Sequence, residues 1–436
     1  MSELFVELDE AKEPIATYVK HGDGRIDRLP NKREMGSKAF GKRILSAFLP
    51  AGYPISVTPD YLEYQIYDSL QAFSSSIAGL LSSRAVLEGI GVGDSHASPT
   101  SALLLSVLQE SMGRIATILF AHRFGTALEP ECKMYRLLAD IFNDAAMILD
   151  CLSPAFPRPY RVLLMSFSSM LRSLCGVAAG SAKASLSAHF ATQGNLGELN
   201  AKDSSQETVI SLIGMLVGTF VVSYISSQRS TWIALITLLC VHLGTNYLAV
   251  RAVSMKTLNR QRACLLFSTY FDQCGKRGAR EKHDISFASP TQISAMEHIF
   301  QWGGALRWKD NSFIEGYCEI GVPLSRLFKV MDKEEISRSI ELHKNYPYII
   351  GHSFEQRRYI VVLKDSATPF DQLSAWMLVV LSGHEDSDLN FSDKFIDMTL
   401  DRASIKEKLL EAGWDIETGA LEVKSGTRLQ TKHKQG

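Results

Sequence analysis

Two consecutive stretches without a charge, "TVISLIGMLVGTFVVSYISSQ" and "STWIALITLLCVHLGTNYLAV", restrict this chain more than anything else in it. Each is 21 residues long, the first between Glu207 and Arg229 and the second between Arg229 and Arg251. A helix of that length rises about 31 Å, and the hydrocarbon core of a bilayer is about 30 Å thick. A soluble helix this long turns one face to water and carries charge there. Two such runs, split by a Gln-Arg-Ser turn, read as a membrane hairpin, with a buried soluble helix pair as the alternative. His242 is alone in the second run and is expected to donate to a neighbouring helix rather than to bind a metal or relay a proton.

Four earlier segments, about 63–83, 99–121, 134–153 and 159–188, have the right length but carry Asp68, Glu110, Arg114, Asp140, Asp144 and Arg172. Two patterns move them toward the membrane. Small residues recur at four-residue steps, as Gly176, Gly180, Ala184 and Ala188 and again as Gly214 and Gly218, which lets helix backbones approach closely. Basic residues also cluster on alternate links. Lys38, Lys42 and Arg43 precede the first helix, and Arg123, Lys133 and Arg136 flank the second link. Lys183 and Lys202 border the fourth, and Arg251, Lys256, Arg260 and Arg262 follow the sixth. The opposite links hold only Arg84, then Arg158 and Arg161, then Arg229. The positive-inside rule then puts both ends in the cytosol, which requires an even number of spans. Six fits, and so does two.

The segment "RLLADIFNDAAMILD" sets Arg136, Asp140, Asn143, Asp144, Met147 and Asp150 on one helical face,. Inside a bundle this face looks inward, because charge facing lipid is costly and intramembrane carboxylates line pathways or pair with one another. Asp140, Asn143 and Asp144, with Glu110, Arg114, Asp68 and Arg172, are therefore the candidate ligand or pathway residues. Fold-locking ion pairs without a ligand are the competing account, since Arg136 and Asp140, and Glu110 and Arg114, are one turn apart.

Composition excludes several classes. Net charge is −1 over 436 residues, so there is no global pull toward nucleic acid,. Seven cysteines lack any C-x-x-C spacing, which fits a reducing compartment or burial in lipid and implies no metal site. The N-terminus "MSELFVELDEAKEP" has neither a secretory signal pattern nor the basic character of a transit peptide. "GIGVGD", with Gly89, Gly91 and Gly93, lacks the strand-turn-helix context of a dinucleotide loop and reads as a turn between helices. No cofactor is implied, and no assembled nucleophile, base or metal cluster argues for an enzyme.

Three stretches carry a resemblance. "LPAGYPISVTPDYLEYQIYDSLQAFSSSIAGLLSSRAVLEGIGVGD" (Leu49 to Asp94), "RLLADIFNDAAMILDCLSP" and "SAKASLSAHFATQGNLGELNAKDSSQET" resemble the root UVB sensitive (RUS, DUF647) family over about residues 45–250, and more loosely beyond. The resemblance implies a link to UV-B sensitivity and vitamin B6 homeostasis, but it supplies no catalytic residue to transfer. At the level of architecture alone, six helices with both ends inside look like half of a major facilitator transporter. In "AHRFG", Arg123 and Gly125 match that superfamily's link motif, and His122 stands where an Asp is expected.

In the link "QGNLGELNAKDSSQET", Asp203 or Ser204 is expected to cap the fifth helix, with Gln206 or Glu207 completing a capping box. The sharper alternative makes Lys183, Lys202, Asp203, Gln206 and Glu207 a cytosolic gate or a phosphate-ester contact. In "YPISVTPDYLEY", Thr58 or Asp60 stands near the next helix's cap. The last third is expected to be a small α+β domain. "RYIVVLKD" reads as a strand, and "PFDQLSAWMLVVLSG" and "DRASIKEKLLEAGWD" as amphipathic helices closed by Gly383 and Gly413. "ALEVKSG" is expected to add a strand. His343, His352 and His384 set no metal spacing.

The chain is thus expected to be mainly α. A polar segment (1–60) precedes a roughly six-helix membrane bundle (61–255), a basic linker (256–289) and a cytosolic α+β domain (290–436). A bundle that moves or senses a small polar metabolite is the first functional expectation, with vitamin B6 compounds suggested by the family. A non-catalytic membrane scaffold that recruits partners through its C-terminal domain is the second. The partners implied are membrane lipid and a protein, such as another family member or a second copy, and not nucleic acid.

Overall fold

The computed structural model describes residues 3–8, 12, 14–21, 25–29, 48–90, 99–225, 227–276, 285–301, 304–310, 313–353, 355–384 and 402–430. Lys38, Lys42, Arg43, Gly91 and Gly93 lie outside these residues. Two compact units emerge, one of residues 1–117 and 136–253, the other of 118–135 and 254–436.

The first unit begins with an antiparallel three-stranded sheet, β1 (Glu3–Leu8), β2 (Pro14–Lys20) and β3 (Ile26–Leu29), in that order. The polar N-terminal segment thus contains a small sheet. Leu4, Phe5, Val6 and Leu8 remain exposed on it. Six long helices follow: α1 (Tyr61–Ile90), α2 (Pro99–Phe124), α3 (Cys132–Leu152), α4 (Arg158–Phe190), α5 (Leu196–Tyr224) and α6 (Gln228–Ala252). Among the described residues, four stretches are long and apolar enough to cross a membrane: Leu103–Ala127 (α2 from Leu103 and the turn after it), Pro159–Phe190 in α4, Leu196–Tyr224 (α5) and Gln228–Ala252 (α6). In α1 and α3, charge dilutes the apolar content.

Helix α1 runs against both α5 and α6. Ala78, Leu81, Ala85, Met147, Cys151, Leu235 and Leu239 form an apolar layer between α1, α3 and α6, and Tyr61 and Tyr64 flank Phe190 with ring centroids 5.5 and 5.1 Å away. The two small-residue series separate here. A Cβ built on Gly214 would lie 2.8 Å from the Ser76 Cβ and 3.0 Å from the Phe73 carbonyl oxygen, so that series marks a close crossing of α5 and α1. Gly176, Gly180, Ala184 and Ala188 instead lie exposed on α4. Gly214→Ala is therefore expected to cost about 1–3 kcal/mol through overpacking, read as a lower thermal midpoint in detergent. Gly180→Ala, with open space around it, serves as the neutral control.

The outward faces are strongly apolar. Leu103, Leu104, Ile115, Ile118 and Leu119 on α2, Leu216 and Phe220 on α5, and Ile233 on α6 are each 58–70% exposed. A water-soluble chain buries such side chains. Here these apolar side chains are exposed while Asp68, Arg136, Asp140, Asp144 and Asp150 are buried.

The second unit carries a mixed sheet in the order β4 (Ala305–Arg307), β5 (Phe313–Ile320), β7 (Arg358–Lys364), β6 (Tyr348–Ser353), with β8 (Arg428–Leu429) paired to the end of β7. β7 lies parallel to β5 and antiparallel to β6. Its helices are α7 (Arg260–Lys276), α8 (Pro290–Met296), α9 (Lys333–Leu342), α10 (Pro369–His384) and α11 (Arg402–Glu411). Reciprocal capping boxes start α8 (Ser289 with Gln292) and α9 (Asp332 with Glu335), and Gly413, at φ +89°, follows α11, as a left-handed C-terminal residue should.

Three expectations are corrected here. The stretch 256–289 is not merely a basic linker, because α7 within it buries Ala263, Cys264, Leu265, Leu266 and Phe267 in this unit's core. Helix α10 is buried on all sides from Ala375 to Val380 rather than amphipathic. The short strand forms at Arg428–Leu429 and not in "ALEVKSG".

His343, just after α9, is fully buried and its Nδ1 donates to the Ser339 carbonyl oxygen at 2.8 Å. Burial pushes its imidazole down to about 4. Unfolded, it protonates near its ordinary value of 6.5,. The stability that this neutral ring confers is thus complete above pH 6.5 and is lost as pH falls toward 4. Acidification from pH 7 to 4 is expected to remove on the order of 3 kcal/mol through this residue. Urea midpoints measured against pH should show the slope flattened in His343→Gln.

Candidate functional site

Helices α1, α3 and α6 bring the polar face of "RLLADIFNDAAMILD" against side chains from distant sequence. The Arg136 guanidinium forks between two carboxylates, Asp68 Oδ1 at 2.8 Å and Asp140 Oδ1 at 3.0 Å. Asn246 donates to the other Asp140 oxygen. With its amide assigned so that the oxygen faces the guanidinium (2.8 Å from Arg136 Nη2), Gln71 sets its nitrogen 2.8 Å from Asp140 Oδ2 and 2.7 Å from His242 Nε2,. His242 Nδ1 meets Asp144 Oδ1 at 2.7 Å, and its Nε2 lies 3.6 Å from Asp140 Oδ2. The Tyr64 hydroxyl approaches Asp68 at 3.5 Å. Asp68, Arg136, Asp140, Asp144, His242 and Asn246 are all buried, none more than 7% exposed.

Buried charges persist only where partners replace water. Asp140 and Arg136 are amply partnered. Asp144 is not: its Oδ2, like Asn246 Oδ1, is buried with no hydrogen-bond partner. Three carboxylates stand against one guanidinium here, with the imidazole between two of them.

Of the residues marked from sequence, Asp68, Asp140 and Asp144 are thus brought together. Asn143 is half-buried at the margin, its amide 3.5 Å from Ser75 Oγ. Arg172 belongs to a separate node, where it and Ser82 bind the fully buried Asp150. Glu110 and Arg114 pair with each other at 3.4 Å on the exposed face of α2, apart from the cluster. Lys183 reaches Asp203 at 2.6 Å and Glu207 at 2.8 Å, Gln65 donates to Asp203 at 2.8 Å, and Gln206 donates to the Phe48 carbonyl oxygen. Lys202 is half-buried beside them in sequence. Helix α5 starts at Leu196 after Asn195, so Asp203 and Ser204 lie within it and do not cap it. Thr58 precedes α1, and Asp60 pairs with His189 of α4 at 3.0 Å.

Tyr64, Gln71, His242 and Asn246 were not marked as site residues. His242 and Asn246 stand four apart in an otherwise apolar helix, and that pairing is the one signal that points to a common polar face.

The second unit holds its own buried polar knot. Lys133 Nζ binds Glu297 at 2.6 Å and Ser294 at 3.1 Å, Arg262 reaches Glu297 at 3.4 Å, and Asn259 donates to Glu131 at 2.9 Å. Burial pushes the Glu131 carboxyl up, against the pull of Arg262. Lys133 and Arg136, counted above as loop charges, are therefore both buried and ion-paired.

Residues 34–274 match the family model for a vitamin B6 photo-protection and homoeostasis domain. The chain is 32% identical over 384 residues to the protein root UVB sensitive 3 of Arabidopsis thaliana, covering 86% of this chain and 83% of that one. This chain belongs to the root UVB sensitive family. A second relative, RUS family member 1 of Dictyostelium discoideum, is 39% identical over 302 residues, 69% of this chain and 54% of the relative. The chain therefore spans about half the length of that family member. The chloroplastic root UVB sensitive 2 of Arabidopsis thaliana is 28% identical over 336 residues. No solved structure matches this root UVB sensitive chain. The family model covers all six long helices, hence the whole Asp68–Arg136–Asp140–Asp144–His242 cluster.

Proposed function

We propose that this root UVB sensitive protein is a multi-pass membrane protein that moves or senses a small polar metabolite through the seam of α1, α3 and α6. One observation carries the reading: a buried Asp68/Arg136/Asp140/Asp144/His242 cluster lies within helices whose outer faces are exposed and apolar. Intramembrane ionisable residues are expensive and mark pathways or binding sites. The matching domain's description makes vitamin B6 compounds the first ligands to test. In this reading six helices span, both termini are cytosolic, and the protein is no enzyme.

The test has two parts. The tagged full chain should stay in the membrane pellet after alkaline carbonate extraction, and wash-off would remove the membrane premise. Asp140→Asn and Asp144→Asn variants that fold should then fail to complement a deletion, with at least tenfold loss of function. Full complementation by both would sink the ligand-handling role.

The second reading, a scaffold, is favoured by the separate core around Trp376, Phe267 and Val361 in the second unit. Such a domain holds a partner without any chemistry of its own, whether another family member or a second copy. Substitutions on its exposed surface that abolish complementation while Asp144→Asn does not would favour the scaffold.

A further inference from the structure

We infer that the Asp144–His242 pair binds one exchangeable proton, so that whatever this seam does is coupled to protonation. The inference rests on the membrane reading above and adds the identity of a ligand. With the Gln71 amide assigned so that its oxygen faces Arg136, its nitrogen donates to His242 Nε2, which leaves that nitrogen bare and assigns the ring proton to Nδ1, facing Asp144 Oδ1 at 2.7 Å,. The imidazole in this state is neutral. Asp68, Asp140 and Asp144 then bring three negative charges against the single positive charge of Arg136, at a place where none of the four is more than 7% exposed and solvent screening is weak,.

The deficit is local. Asp68 and Asp140 share the guanidinium, whereas Asp144 receives one hydrogen bond and leaves Oδ2 without a partner. Asn246 Oδ1, fully buried on the neighbouring turn of α6, is also an acceptor without a donor. Both unsatisfied atoms are acceptors, so the cluster is short of hydrogen. One proton offsets one of these negative charges whether it sits on the carboxyl or completes an imidazolium, so the pair offers two places for the same proton. An imidazolium puts an N–H toward Asp140 Oδ2, now 3.6 Å away, and Gln71 must then withdraw its amide nitrogen from Nε2. Proton binding on α6 is thereby transmitted to α1. The groups facing the pair are Tyr64, Asp68 and Gln71 from α1, Arg136 and Asp140 from α3, Asn246 from α6 and the Cys175 thiol from α4.

The test is infrared difference spectroscopy of the full chain in nanodiscs, with labelled histidine, between about pH 5 and pH 9, in sodium and in choline buffers. The wild type should show one buried carboxyl or imidazole titrating reversibly, equally in both buffers. That signal should vanish in His242→Gln and in Asp144→Asn, each first checked for wild-type elution and helix content. If one variant fails to fold, the other decides. A signal that persists in the folded variant overturns the assignment, as does one that appears only when sodium is exchanged, which makes a metal cation the occupant. The readout needs no transport assay. A titrating pair in a protein whose Asp144→Asn form complements fully would leave the proton site standing and remove the proposed function.

Discussion

Arg136→Ala should unfold the helical unit or leave it with a severely lowered midpoint. The guanidinium holds Asp68 and Asp140 together, and its side chain is 9% exposed. Removing it strands two buried carboxylates, and breaking a buried pair on one side costs about 3–5 kcal/mol. Arg136→Lys should fare little better, because a single ammonium cannot reproduce a fork that reaches two carboxylates at once. Adding Asp68→Asn to Arg136→Ala should recover part of the loss by removing one stranded charge. Fluorescence-detected thermal melts in detergent give both numbers. A wild-type midpoint for Arg136→Ala would mean that these carboxylates reach water, and the seam would have to be redrawn as an open channel.

Trp376→Ala should be the most damaging substitution in the second unit. Trp376 is wholly buried in α10, among Phe267, Val361 and Leu363, and Arg260 lies over its ring at 5.9 Å. Truncating a buried Trp costs about 3–5 kcal/mol through lost transfer energy and the cavity left behind. Hydrogen exchange followed peptide by peptide should show protection lost in α7, β5, β7 and α10. Unchanged protection there would mean the core repacks around the void.

The long apolar helices could be read from the sequence because hydropathy is local. The run after Arg229 is α6 within two residues at each end, and the run after Glu207 covers the C-terminal part of α5, from Thr208 to Tyr224. The polar face of α3 was legible for the same reason, since a period of 3.6 needs only one helix. What could not be read was which side chains from other helices meet that face. Gln71 and His242 approach Asp140 and Asp144 across gaps of about 70 and 100 positions, and no periodicity encodes such a meeting. Glu110 and Arg114 looked equivalent to the α3 charges by composition, yet they pair on an exposed face. Hydropathy cannot tell an inward charge from an outward one. The start of α5 was missed because "NLGELNAKD" is polar enough to resemble a loop, although it holds no Pro and its one Gly, Gly197, falls in the first turn of the helix. Helix α7 was missed because basic residues at Arg260 and Arg262 masked an apolar run directly behind them.

The second unit is assembled from residues 118–135 and 254–436, and this has a consequence for the order of synthesis. Lys133 leaves the ribosome with its partner Glu297 still unmade, and residues 136–253 must be translated first. At ordinary elongation rates that wait is on the order of ten seconds. Until then Lys133 and Glu131 have water or lipid headgroups in place of their partners. The last domain to be made must therefore fold onto a strip of chain already in place, and a chain that stops before residue 297 leaves Lys133 without Glu297. An early stop is thus displayed as an exposed, charged link in the middle of the protein, where a protease or quality-control factor can reach it.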